Sequence, residues 1–130
     1  MIKEEKIMNP QAMNQIFGGM PRFEDAEIMN VDLNRDGPSL FIRLMTKATV
    51  KNKPKRWGDF DVVYVEFSFI GVSDLAIRHL GVNNLIDHFE ISTTENGALL
   101  KINCKNQMQI ETLFDWARVE QISPGLIGDS

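Results

Sequence analysis

Downstream of Pro21 the apolar residues stop recurring every three or four positions and begin to alternate, which restricts most of this chain to β-strands. Met29, Val31 and Leu33 alternate with Asn30 and Asp32; Leu40, Ile42 and Leu44 alternate with Phe41 and Arg43. Between the two runs, Asn34-Arg35-Asp36-Gly37-Pro38 is rich in residues that accept turn geometry, so the pair reads as a hairpin. Phe60 to Gly71 is the clearest strand, with Val63, Val65, Phe67 and Phe69 on one face and Val62, Tyr64, Glu66 and Ser68 on the other. The polar stretch Thr46 to Asp59 reads as a long loop or a poorly paired edge.

The second half continues the pattern with more ambiguity. Val72 to Leu80 fits a strand or a helical turn and is assigned as strand. In Leu85 to Thr93, Leu85, Asp87, Phe89 and Ile91 alternate with Ile86, His88 and Glu90. Glu95-Asn96-Gly97 is a hairpin signal because Asn-Gly accepts the positive φ of a tight turn, and Leu100, Ile102 and Cys104 answer from the returning strand. Met108 to Ile122 predicts one or two further strands with Phe114 and Trp116 on the same side, Asp115 to Val119 being alternatively a helical turn. Ser123-Pro124-Gly125 is expected to end regular structure.

One helix precedes the strands. Asn9 is placed to cap it, Pro10 to occupy its first position and Gly18-Gly19 to end it. Met13, Ile16, Phe17 and Met20 form a single apolar stripe, and a helix this short needs that stripe docked to persist. The expected fold is α+β, mainly antiparallel β, with one short N-terminal helix packed on a meander sheet or partly open barrel of about six to eight strands. Residues 1–130 are expected to form a single domain with flexible ends at 1–8 and 126–130.

Composition narrows the chemistry. The single cysteine, Cys104, excludes an intramolecular disulfide framework and a multi-cysteine zinc site. Met1-Ile2-Lys3-Glu4-Glu5-Lys6 lacks the apolar core of a secretory signal. The apolar-rich stretch Val62 to Val72, broken by Glu66 and Ser68, falls short of the roughly 18 apolar residues of a membrane span. A cytoplasmic protein with no membrane partner is therefore expected.

Candidate sites are few. Asp32-Leu33-Asn34-Arg35-Asp36-Gly37 matches the opening of a calcium loop, but the twelfth position is Arg43 and strands flank it where helices are required. Cys104 falls in line with Leu100 and Ile102, a position for a small buried hydrophobe rather than a nucleophile. His79 and His88 have no metal-ligand spacing, and Glu24, Asp25, Glu27, Asp87 and Glu90 select no acid–base pair. Phe17-Gly18-Gly19-Met20-Pro21 ends a helix, whereas phosphate cradles begin one. No enzyme, cofactor or metal is expected.

Charge is distributed unevenly. Fourteen Lys and Arg against eighteen Asp and Glu leave a net charge of −4. Lys47, Lys51, Lys53, Lys55 and Arg56 crowd five of the fourteen cations beside Trp57, so the remainder of the chain is strongly acidic. Lys51, Lys53, Lys55, Arg56 and Trp57 could hold phosphates and stack a base, although the acidic body would repel nucleic acid. The same lysines would also serve simply to discourage edge-to-edge strand pairing. An acidic body suits a basic protein partner.

Asn9-Pro10, the helix exit Ile16-Phe17-Gly18-Gly19-Met20-Pro21, Phe23-Glu24-Asp25-Ala26-Glu27-Ile28, and Leu33-Asn34-Arg35-Asp36-Gly37-Pro38-Ser39-Leu40 together resemble the immunity protein 50 family. The family comprises small bacterial proteins of polymorphic toxin systems. The likeness is good over residues 9–44 and continues more loosely through Val62 to Phe69 and the strands around Cys104 and Phe114. It implies stoichiometric binding of a cognate protein toxin, with no catalysis. Gly18, Pro21, Asp25, Asp36, Gly37 and Pro38 then serve as architecture, namely helix exit, strand start and turn. The resemblance supplies no contact residues. Acids on an exposed sheet face or edge, Asp87 and Glu90, are the expected toxin contacts, and a homodimer presenting the basic loop is the competing arrangement.

Overall fold

A computed structural model describes residues 2–95 and 97–128. These residues form a 3-10 turn (Glu4–Lys6), one helix, α1 (Gln11–Phe17), and eight strands: β1 (Glu27–Asn34), β2 (Ser39–Thr46), β3 (Val62–Ile70), β4 (Ser73–Arg78), β5 (Ile86–Thr94), β6 (Gly97–Cys104), β7 (Gln109–Phe114) and β8 (Trp116–Gly125). The expected mainly antiparallel fold with one short helix holds. Its strands divide into two four-stranded sheets, ordered β1-β2-β3-β8 and β4-β7-β6-β5, and neither closes into a barrel.

The division has a simple logic. Each half of the chain makes a three-stranded meander, β1-β2-β3 and then β5-β6-β7. The strand after each meander crosses over and completes the other sheet: β4 pairs with β7, and β8 pairs with β3. Side chains from both sheets meet in one core, where Phe67 lies 6.0 Å from Phe89 and Phe69 lies 5.2 Å from Phe114, ring centre to ring centre. Phe23 wedges between, its ring 5.8 Å from Phe67 and 5.1 Å from Phe89. It does so from a left-handed backbone, φ 63°. That conformation costs a phenylalanine about 1–3 kcal/mol, which burial of a ring of this size offsets.

Local departures from the sequence expectation each have a physical cause. Asn9 does not cap α1. Its side-chain amide donates to Val119 O (2.9 Å) and accepts from Val119 N–H (2.8 Å), standing in for a strand residue along the edge of β8. Pro10 takes the flanking position and the helix begins at Gln11. The stripe behaves as expected, with Met13, Ile16 and Phe17 buried and Gly18 closing the helix at φ 75°.

In β5 a bulge at Asp87 reverses the alternation, since Ile86 pairs with Cys104 but His88 pairs with Asn103. Ile86, Phe89 and Ile91 are therefore the buried set, and Leu85 and Asp87 face solvent. Phe114 and Trp116 likewise part company, because the chain changes sheets at Asp115. Phe114 is buried, whereas Trp116 is 45% exposed with Lys6 Nζ 5.1 Å above its ring. Residues 116–125 are one strand, not a helical turn, and Ser123-Pro124-Gly125 belong to it. β8 lies at a sheet edge, where a missing proline N–H is tolerated.

In the N-terminal segment Ile2 bridges to Ile91, Ile7 bridges to Ala117, and Ile7 is buried. At the other terminus, Ile127 and Gly128 N–H groups both donate to the Asp61 carboxylate at 2.9 Å. The expected Asn-Gly turn is closed by the Thr94–Gly97 pair, with Asn96 itself outside the described residues. Among the described residues, no helix is long and apolar enough to cross a membrane.

Candidate functional site

Asp87 and Glu90 both lie on β5, which forms one edge of its sheet. They share the strand but not their partners. The Glu90 carboxylate accepts a hydrogen bond from His88 Nε2 at 3.0 Å, a geometry that requires the proton on that nitrogen. This bond pulls the Glu90 carboxyl below the ordinary carboxylate range, with burial opposing it. Asp87, projected outward by the bulge, belongs to a different group. Lys105 Nζ is paired with Asp25, which raises the lysine above its ordinary range, and Asp87 and Glu24 push in the same direction. Of these acids Asp25 is the one in contact with Lys105, whereas Asp87 and Glu24 act on it from further off and Glu24 is itself paired with Arg22 at 2.9 Å.

His88 and Phe89 line an open cleft of about 640 Å³ between β5, the N-terminal segment and the helix exit. Its volume falls in the range of small-molecule pockets, which are mostly apolar and enclosed. This cleft is open and its lining is mixed, with Ile2, Met20, Pro21 and Phe89 beside Lys3, Glu4, Glu5, Arg22, Glu24 and His88. It is a surface depression with a partly charged lining.

The basic loop is fastened to the helix. Lys51 and Asn52 N–H groups both donate to Ile16 O, at 2.8 and 3.1 Å, and the Asn52 amide donates to Gln15 O at 2.7 Å. These bonds satisfy carbonyls that the last turn of α1 leaves open. The Lys51 stem passes so close over Gly18 that a Cβ there would stand 2.6 Å from Lys51 Cδ. Lys51, Lys53, Lys55 and Arg56 remain exposed, but Trp57 is only 5% exposed and packs edge-on against Phe60 at 5.4 Å. The indole expected to stack a base is turned into the core.

The remaining candidates take structural places. Cys104 is buried 3.9 Å from the Met108 sulfur, and burial pushes its thiol up to about 11. Asn34 Oδ1 accepts the Asp36 N–H at 3.0 Å, which commits the calcium-like segment to its hairpin turn. His79 lies just past β4 at φ 56°, while His88 is committed to Glu90. Among the described residues, no three His, Cys, Asp or Glu side chains are grouped to hold a metal ion.

Lys105 is the residue at this surface that sequence reasoning missed. It is 80 positions from Asp25, so no local spacing signals the pair.

No curated protein and no solved structure matches the chain. A family model does match, over residues 9–125, which run from the asparagine that fastens the helix segment to β8 through the last residue of that strand. Its description is immunity protein 50, and with both sheets and the helix inside the matched region, the chain belongs to that family.

Proposed function

We propose that this chain is a single-domain cytoplasmic immunity protein that neutralises a cognate polymorphic toxin by stoichiometric binding, without catalysis of its own. The observation that carries the proposal is the family match across both sheets. Glu24, Asp25 and Asp87 fit it, because they outnumber Arg22 and Lys105, the cations paired with two of them, and the remaining negative charge would steer a basic toxin. Glu90, on the same strand beside the charged cleft, extends that surface.

The test is binding to the inactivated toxin domain encoded in the same toxin locus, by calorimetry and by stopped-flow association. A one-to-one complex is expected, together with rescue of cells expressing the active toxin. Asp87→Lys combined with Glu90→Lys should slow association at low salt by roughly tenfold or more. An unchanged association rate would remove these two residues from the contact. The competing reading, a non-catalytic protein binding nucleic acid through Lys51, Lys53, Lys55 and Arg56, lacks its stacking platform because Trp57 is buried. Salt-sensitive nucleic-acid binding lost on neutralising those four cations would restore it.

A further inference from the structure

The loop joining β4 to β5, residues 79–85, carries its aliphatic side chains outward. Leu80 is 63% exposed, Val82 92% and Leu85 39%. A mobile loop would bring such side chains to a partner at a cost in ordering entropy, but this one is held from inside. Asn84 is buried, and its side chain holds both backbone groups of Gly81: Oδ1 accepts the N–H at 3.1 Å and Nδ2 donates to the carbonyl at 2.9 Å. Asn106 Nδ2 donates to the same Oδ1 at 2.9 Å. The Asn84 carbonyl accepts Ile28 N–H at 3.0 Å, and Lys105 N–H donates to Leu85 O at 2.9 Å. A buried asparagine is thus committed to fixing the shape of a tip whose aliphatic side chains touch water.

The acids stand beside this tip. Leu85 bridges to Glu27, Asp25 N–H donates to Ile86 O, and Asp87 is the bulge two residues beyond Leu85. A desolvated apolar centre within a charged rim is the anatomy of a protein interface, and preorganisation lowers the ordering cost of using it.

We propose that Leu80, Val82 and Leu85 form a rigid apolar knob that inserts into an apolar pocket on a cationic surface of the toxin, with the neighbouring acids as its rim. The assignment rests on the immunity reading above. A second copy of this chain is the poorer occupant, because Glu24, Asp25, Glu27 and Asp87 outnumber Arg22 and Lys105 there and a symmetric contact would set one net-negative rim against another.

The deciding experiment compares wild type, Leu80→Ser/Val82→Ser and Glu24→Gln/Asp87→Asn for binding to the inactivated toxin domain from the same locus, at low and high salt. All substituted side chains are at the surface, and unchanged urea midpoints verify the fold. The knob variant should dissociate roughly 30-fold faster or more, with association changed less than about threefold. The acid variant should associate several-fold more slowly at low salt and dissociate nearly as wild type. If wild type binds and the knob variant binds equally well, the knob is overturned and the immunity reading stands. If wild type fails to bind, both fall. If sedimentation shows a wild-type dimer that the knob variant abolishes while toxin binding is kept, the occupant is a second copy and the proposal is overturned.

Discussion

Gly71 and Asp115 occupy the two points at which the chain changes sheets, and they touch. Gly71 follows β3 at φ 74° and Asp115 follows β7, with Asp115 N–H donating to Ile70 O at 2.8 Å. A Cβ on Gly71 would overlap the Asp115 carboxylate. The same corner is tied to the first hairpin, because Gly71 and Val72 N–H groups both donate to Pro38 O at 3.0 and 3.1 Å. The exchange of strands between the two meanders therefore passes through one crowded junction.

Gly71→Ala should be among the costlier single-methyl additions in this protein. The left-handed backbone alone costs an alanine about 1–2 kcal/mol, and displacing the carboxylate adds to that. Asp115→Ala in the same chain should recover the overlap part and leave the backbone part. Urea unfolding of the two single variants and the double variant measures this coupling. Strict additivity would show that the two residues do not interact.

Asn9 discriminates between two roles that look alike in sequence. Were it a helix cap, Asn9→Asp would be neutral, since the two residues cap equally well. Because its amide donates to Val119 O, a carboxylate there loses the donor and places an oxygen against a carbonyl. Asn9→Asp should cost about 1–3 kcal/mol at neutral pH, no less than Asn9→Ala. The loss should shrink as acid protonates the carboxyl and restores a donor. Thermal unfolding at pH 7 and pH 4, referenced to wild type, is the measurement.

The contrast between Asn9 and β3 shows where sequence was informative. The alternation from Val63 to Phe69, the β1–β2 hairpin and the apolar stripe of α1 depend on neighbours a few positions apart, and each was legible. The partition into two sheets was not, because the β3–β8 and β4–β7 pairs join distant segments with no turn signal between them. Asp87 defeated the period argument in β5 because one inserted residue reverses the face of everything on one side of it. At the candidate site Asp87 and Glu90 were visible as acids, yet their separate partnerships with the Lys105 group and with His88 were not. Leu80 was read as the end of a strand and lies instead in the exposed loop after β4, and Trp57 read as available until it was buried.

Cys104 should be inert in the folded protein and should make stability sensitive to alkali. Burial raises its thiol from 9.0 to about 11, so the folded state favours the neutral form. The associated stability is complete below the thiol's ordinary value and is lost as pH climbs from there towards 11. Comparing urea midpoints at pH 8 and pH 10, wild type should lose more than Cys104→Ala. The excess is bounded by about 1.4 kcal/mol per pH unit. An equal loss in both would assign the alkaline slope to other groups. At pH 8, labelling of the native thiol should run far more slowly than labelling of the unfolded chain.

Glu90 carries the opposite sign. His88 donates to its carboxylate and holds it below the ordinary carboxylate range, so its contribution is present above that range and disappears as pH falls through the folded value. The pair is substantially exposed, with side-chain exposures of 44% and 34%, which limits its worth to about 1 kcal/mol or less. Glu90→Gln should therefore leave the unfolding midpoint at pH 7 nearly unchanged while altering the charge of the β5 edge. An NMR titration of the Glu90 side-chain carboxyl should give a midpoint below that of an exposed glutamate, and His88→Ala should move it upward. A midpoint indifferent to His88→Ala would mean the hydrogen bond does not govern the shift. A large stability loss in Glu90→Gln would make the residue part of the framework, disqualifying charge reversal at Glu90 as a clean probe of toxin association.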